Sequence, residues 1–219
     1  MADPMTLVIG SKNYSSWSLR PWLILAANAL PFTEVMVPLG TEETTSRIQQ
    51  HSPTGRVPVL KVGDQVIWDS LAIAEFLAER FPEKQIWPQD TKQRALARSI
   101  CAEMHSGFMP LRERLPMNIR RRYTNFVIGN DVQPSIERIA AIWRECRNRY
   151  GRPSGGDFLF GRFGAADAFY APVVTRFATY GVRLDPVGEE YMQSIQQLPA
   201  MQTWRRDAEQ EPRIDKYEF

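Results

Sequence analysis

The chain has 219 residues, 43% hydrophobic and 24% charged, with 27 Lys+Arg against 25 Asp+Glu. That suits one or two domains with a real core, and the balance is that of a soluble globular protein, not a disordered or fibrous one. No apolar run reaches the roughly 18 residues of a membrane span, and Met1 to Gly10 lacks the basic-then-apolar pattern of a signal peptide, so the expectation is a cytoplasmic protein without a membrane partner.

Thr6-Leu-Val-Ile9 is a short β-prone run. Leu19, Trp22, Leu23, Ala26, Ala27 and Leu30 recur at helical spacing and predict a helix with Pro21 in its first turn, where a missing N–H costs nothing. Val35, Val37 and Leu39 alternate as a second strand. Val57 to Val62 and Gln65 to Trp68 read as two more, joined by Gly63-Asp64, a two-residue hairpin signal. After Asp69-Ser70, Leu71 to Phe81 is a strongly apolar helix. Pro82 to Thr91, with its prolines and polar residues, reads as a linker. Beyond it nearly everything is helical. Leu96, Ile100, Met104, Gly107, Phe108, Leu111 and Leu115 form one stripe; Ile136, Ile139, Ala140, Trp143, Cys146 and Tyr150 form a second. A third helix, from about Ala165 to Tyr180, stops at Gly181, a natural C-cap. Shorter helices follow around Glu189 to Gln197 and Ala200 to Glu209. The reading is an α/β domain over 1–82, a linker over 83–91 and an all-α domain over 92–219. The strand and helix order of the first domain, βαβ then ββα, is that of a thioredoxin-like fold.

Charge and cysteines narrow the function classes. Residues 1–90 carry a net −3 and residues 91–219 a net +5. The one tight basic run, Arg120-Arg121-Arg122, has no interleaved aromatics and reads as a solvated face, not a nucleic-acid surface. Cys101 and Cys146 show no CxxC, zinc or disulfide-framework spacing, so they read as two buried thiols with no metal.

Three short segments carry chemistry. Pro58 stands inside a strand-like run although proline donates no ladder hydrogen bond. Either it marks an edge or bulge, or the Val57-Pro58 bond is cis, an isomer only about 0.5–1 kcal/mol above trans, which would turn Val57's N–H and C=O outward to pair with a peptide ligand. Asp69-Ser70 opens a helix whose free N–H groups and positive dipole end suit a carboxylate. Ser70 is either a plain N-cap or a carboxylate ligand beside an Asp69 that accepts an ammonium group, and the two roles are compatible. Ser15 and Ser16 precede the first helix, where one serine caps it and a hydroxyl can also donate to a thiol sulfur, favouring the thiolate. No His-Asp pair accompanies them, so a serine-hydrolase triad has little support.

Together these segments resemble the cytosolic glutathione transferase family over essentially the whole chain. Ser15-Ser16-Trp17-Ser18 is similar to the start of the serine-type classes, the zeta class in particular. Val57-Pro58 resembles the family's Val/cis-Pro element, and Asp69-Ser70 its acidic-or-Gln-Ser pair. Phe160-Gly-Arg-Phe-Gly-Ala-Ala-Asp167 resembles the Gly-x-x-Ser/Thr-x-x-Asp box of the second domain, and Ala102-Glu-Met-His-Ser-Gly-Phe108 is similar to a stretch in a bacterial subgroup. The resemblance implies glutathione as co-substrate, no metal, and a homodimer acting in detoxification. It implies Ser15 as thiolate stabiliser with Ser16 as neighbour and Tyr14 as a rival donor. Glutathione would contact Ser15, Trp17, Arg56, Val57, Pro58, Asp69 and Ser70, with Arg56 at its glycyl end. A small hydrophobic electrophile would meet His105, Phe108, Met109 and Arg112.

Departures bound that reading. The zeta pattern has Cys where this chain has Trp17, so the isomerase and dehalogenation activities of that class do not transfer with the motif. The helix box has Gly164 where Ser or Thr is expected. No Cys lies near Ser15, which argues against the omega and beta classes and glutaredoxin-like chemistry. Conjugation of glutathione is the leading function; a glutathione-dependent isomerase or peroxidase and a non-catalytic scaffold of the same fold are the alternatives.

Overall fold

The computed structural model describes residues 3–218; residues 1, 2 and 219, at the outer ends of the two expected domains, lie outside them. A four-stranded sheet has the order β2-β1-β3-β4. β1 (Met5–Gly10) runs parallel to β2 (Thr33–Val37) and antiparallel to β3 (Val59–Val62), which forms a hairpin with β4 (Gln65–Ile67). Side chains alternate across β1. Leu7 and Ile9 join Leu19, Leu23, Ile73 and Leu77 on one face, while Val8 meets Val37, Ile48 and Val59 on the other. The first face is covered by α1 (Ser16–Ala27) and α3 (Ser70–Arg80). The second is covered by α2 (Thr44–Gln49), which the sequence reading missed because one buried residue, Ile48, gives no period.

The second domain comprises α4 (Thr91–Ser106), α5 (Met109–Arg114), α6 (Gln133–Cys146), α7 (Ala165–Tyr180), α8 (Pro186–Gln197) and α9 (Pro199–Gln210). At its centre α7 buries 15 of its 16 residues, which is why its apolar pattern runs around the whole helix and not along one stripe. It packs against α1 and α4 and so joins the two domains. The architecture is the expected α/β unit followed by an all-helical one.

Several local expectations need correction. Pro21 is inside α1, not in its first turn, because Ser15 caps the helix at Ser16, a turn ahead of the apolar repeat. The Trp17 carbonyl thereby loses its intrahelical donor. Within the segment read as a linker there is a 3₁₀ turn, and Ile86 and Trp87 are buried in the core. The first stripe of the second domain is two helices, broken where Gly107 is extended and Phe108 takes a left-handed φ of 60°. Ser70 is not the cap of α3; Asp69 is, its Oδ1 accepting from the N–H groups of Leu71 and Ala72.

The box at the start of α7 works without its hydroxyl. Asp167 accepts from the N–H of Gly164 at 2.9 Å, the N–H of Leu159 at 3.0 Å and the Tyr191 hydroxyl at 3.1 Å. Burial pushes its carboxyl up to about 6 against those hydrogen bonds. Gly164 is required by a close approach: a Cβ there would lie 2.9 Å from the Ile86 carbonyl oxygen, which accepts from the Ala165 N–H.

Candidate active site

The turn between β1 and α1 delivers the two serines to a cleft between the domains. Ser15 Oγ donates to Ser18 Oγ at 2.8 Å and accepts from the Ser18 N–H at 3.4 Å, a long cap. Ser18 Oγ in turn accepts from the Gly10 N–H at 3.0 Å, tying the helix start to the strand end. Ser16 Oγ accepts from Arg176 at 3.3 Å, so its own proton is available. Tyr14 lines the same cavity as the serines, with its hydroxyl engaged: it donates to Glu218 at 2.6 Å and accepts from Arg120 and the Ile214 N–H.

The second segment meets the helical domain directly. Asp69 Oδ2 lies 2.8 Å from His105 Nε2. Burial holds the His105 pKa below its usual value even though Asp69 opposes the shift. The shift favours the neutral ring, for which this contact is an N–H donation to a carboxylate. His105 also packs edge-on against Trp17. Ser70 is fully buried, its Oγ accepting from Arg20 at 3.3 Å. Trp17 lies between two guanidiniums, with Arg20 at 4.2 Å and Arg112 at 4.9 Å from its ring centroid, in cation–π geometry.

The Val57-Pro58 and Trp68-Asp69 peptide bonds are both cis. β3 begins only at Val59, so Val57 stands outside the ladder, at the cleft edge. Two adjoining cavities share Trp17, Arg56 and Val57. One, of about 360 Å³, is lined also by Thr54, Pro58, Trp68, Asp69, Ser70 and His105. The other, of about 550 Å³, is lined by Ser15, Ser16, Arg112, Arg176 and Tyr217, among others. Each residue expected to meet glutathione lines one or both of these adjoining cavities. Of the expected electrophile residues, Arg112 lines the second cavity, His105 sits in the first, and Phe108 and Met109 line neither.

Sequence reasoning missed the charge of this cleft. Arg20, Arg112 and Arg176 converge from α1, α5 and α7, and among the described residues no ion pair joins any of them to a carboxylate. Burial, then mutual repulsion, lowers Arg20 and Arg176 to about 9, and both remain charged at pH 7. Arg176 donates to the carbonyls of Leu115 and Pro172, and Arg112 to those of Met104 and Gly107 at the end of α4. The available signal was an arginine set in an apolar helix run: Leu19-Arg20-Pro21-Trp22 and Val174-Thr175-Arg176-Phe177. Among the described residues no group of three or more His, Cys, Asp or Glu is placed to hold a metal.

Comparison with known proteins agrees with this arrangement. Residues 14–80 match the glutathione S-transferase N-terminal domain family, and residues 95–207 match the glutathione S-transferase C-terminal domain family. Glutathione S-transferase 1 of Dianthus caryophyllus is 31% identical over 79% of this chain and 78% of its own. A maleylacetoacetate isomerase of Rattus norvegicus is 35% identical over 78% of each. Among solved structures, a glutathione transferase homologue from Burkholderia with bound glutathione superposes with a TM-score of 0.72 at 25% identity, covering 95% of this chain and all of that one. With its two domain matches, zeta-like features and this cleft, the chain belongs to the glutathione S-transferase family of enzymes.

Proposed function

We propose that the cleft binds glutathione with its γ-glutamyl end at Asp69 and Ser70, its cysteinyl backbone at Val57 and its sulfur at Ser15, and that the thiolate adds to a small carboxylate-bearing electrophile. The observation that carries this reading is the pair Arg112 and Arg176, lining the same cavity as Ser15 with no carboxylate partner among the described residues. Uncompensated charge at a partly desolvated site favours an anionic ligand. The same field favours a thiolate over a thiol. With the Ser70 hydroxyl accepting from Arg20 and the Leu71 and Ala72 N–H groups given to Asp69 Oδ1, the Ser70 N–H and Asp69 Oδ2 are the main contacts for the γ-glutamyl group.

Thiolate addition to an activated double bond gives a conjugate if the adduct is kept. It gives an isomer if the bond rotates and the thiolate leaves again. Relatives named maleylacetoacetate isomerase favour the second outcome as an alternative, because a maleyl group is such an electrophile. A homodimer is the assembly typical of the family, and two buried free cysteines suit a reducing cytoplasm. The test is turnover of maleate-type acids against their neutral esters, with native protein and Arg112→Gln. Native enzyme prefers the acid in kcat/KM, and the variant loses about 10-fold or more of that preference, as for a lost charge-assisted hydrogen bond of about 1.5–3 kcal/mol. An equal preference in both proteins refutes the anionic electrophile site.

A further inference from the structure

The turn that carries Ser15 is fastened from the far end of the chain. The Glu211 carboxylate, just beyond α9, accepts the N–H of Lys12 at 2.6 Å on one oxygen and the N–H of Asn13 at 3.0 Å on the other. The Lys12 carbonyl accepts from Trp204 Nε1, and its ammonium bridges Glu34 and Asp207. The Asn13 side chain accepts from the N–H of Arg120 and donates to Asn118. Next in the chain, Tyr14 holds Glu218 through its hydroxyl and packs on Tyr217, with ring centroids 5.2 Å apart. Arg120 ties the two residues together, donating to the Glu211 backbone carbonyl and lying 3.6 Å from the Glu218 carboxylate. The segment between them presses Ile214 onto Gly40, where a Cβ would come within 2.5 Å of the Ile214 methyl. Three consecutive residues before Ser15 are thus held by groups some 200 positions away.

We propose that Glu211 and Glu218 are positioning residues for thiolate formation. They act through the backbone of Lys12 and Asn13 and through the Tyr14 hydroxyl to keep Ser15 Oγ aimed at the glutathione sulfur. The proposal rests on the assignment of Ser15 above. Neither carboxylate lines the cleft, so neither touches glutathione; each fixes the turn from behind. The arrangement also places Tyr217 in the wall of the cavity that holds Ser15, so ordering of this segment and shaping of the electrophile site are one event. A hydrogen bond to sulfur tolerates little displacement, and a shift of about 1 Å is enough to lose most of its effect.

The experiment is a pH titration of the thiolate absorbance of bound glutathione in native protein, Glu211→Gln, Glu218→Gln and Tyr14→Phe, each also in a Ser15→Ala background. The exposed-pair variant Glu145→Gln serves as a control. The expected result is a thiol pKa higher by about one unit in the three positioning variants, with glutathione affinity within about twofold of native, and no further shift once Ser15 is absent. A native pKa in all three variants, or an equal shift with and without Ser15, overturns the proposal. Tyr14→Phe removes one hydroxyl and keeps the ring packing, so the test survives if a glutamine variant fails to fold. A native protein with no thiolate band overturns the assignment of Ser15 itself; a native band unaffected by the variants overturns only the positioning role.

Discussion

Replacing Ser15 with Ala separates the hydroxyl's chemical role from its structural one. A hydrogen bond to a charged group contributes about 1.5–3 kcal/mol, and 1.36 kcal/mol corresponds to about one pKa unit. Once glutathione binds and the Ser15 hydroxyl turns from Ser18 Oγ to the sulfur, its donation should therefore lower the glutathione thiol by about one to two units from its ordinary value near 8.5. At the upper end, about three quarters of bound glutathione is thiolate at pH 7. Without the hydroxyl, and before the arginine field is counted, about 3% is, so about 25-fold is the upper bound on the loss of reactive species. The arginines remain in both proteins, so the difference isolates the hydroxyl. Loss of stability should be small. The cap bond to the Ser18 N–H is long, at 3.4 Å, which puts its loss near the lower end of the usual range, about 0.5 kcal/mol. Ser18 Oγ keeps the Gly10 N–H as donor. The assay is an ultraviolet difference spectrum of bound glutathione against pH, alongside glutathione affinity by calorimetry. The expected outcome is a shifted pKa with affinity nearly unchanged. A native pKa in Ser15→Ala refutes the assignment, and loss of the band in Ser16→Ala instead moves the role to the hydroxyl held by Arg176.

Two further predictions concern the start of α7. Restoring a hydroxyl with Gly164→Ser should destabilise the protein by about 1 kcal/mol or more, because the new Cβ meets a backbone oxygen of Ile86 that cannot easily move; a rise in the urea midpoint would contradict that. Asp167, pushed up to about 6 by burial, binds a proton in the folded state over a pH range where the unfolded chain, near 3.9, does not. Its contribution to stability is thus largest below about pH 4 and is lost as pH rises through 6. The stability gap between native protein and Asp167→Asn, from urea unfolding at pH 4.5 and 7.5, should narrow at the higher pH by at most about 3 kcal/mol; a gap that widens would reverse the sign of the argument.

The parts of the site legible in the sequence are those whose chemistry is local. Pro58 inside an apolar run, Asp69 before a helix and serines before another each conflict with, or punctuate, a neighbouring pattern, and conflict of that kind is visible without tertiary structure. Element boundaries were less legible where a side chain far away, or a cap one turn upstream, decided them. Ser15 moved the start of α1, and Gly107 with Phe108 divided what the apolar stripe presented as one helix. The segment Pro82 to Thr91 looked polar by count, yet two of its residues, Ile86 and Trp87, are buried in the main core.

Local pattern marks two arginines set in apolar helix runs, but not that they and Arg112 converge on one cleft. Arg20, Arg112 and Arg176 are separated by 92 and 64 positions, and the packing of α7 against α1 brings Arg176 to Ser16. Their convergence also accounts for the one residue that departs most from the zeta-like pattern. Trp17 stands where a small thiol is expected, with Arg20 and Arg112 over its ring and the His105 edge against it. Its indole offers a negative π face to two cations that have no carboxylate partner among the described residues, and it does so without introducing an anion that would compete with the ligand. A carboxylate at position 17 would neutralise the arginines and remove the field that favours the thiolate, whereas an aromatic ring screens their repulsion and leaves that field in place. In this chain the identity of Trp17 therefore follows from the arginines it packs between, and those arginines in turn define the chemistry of the electrophile the cleft accepts.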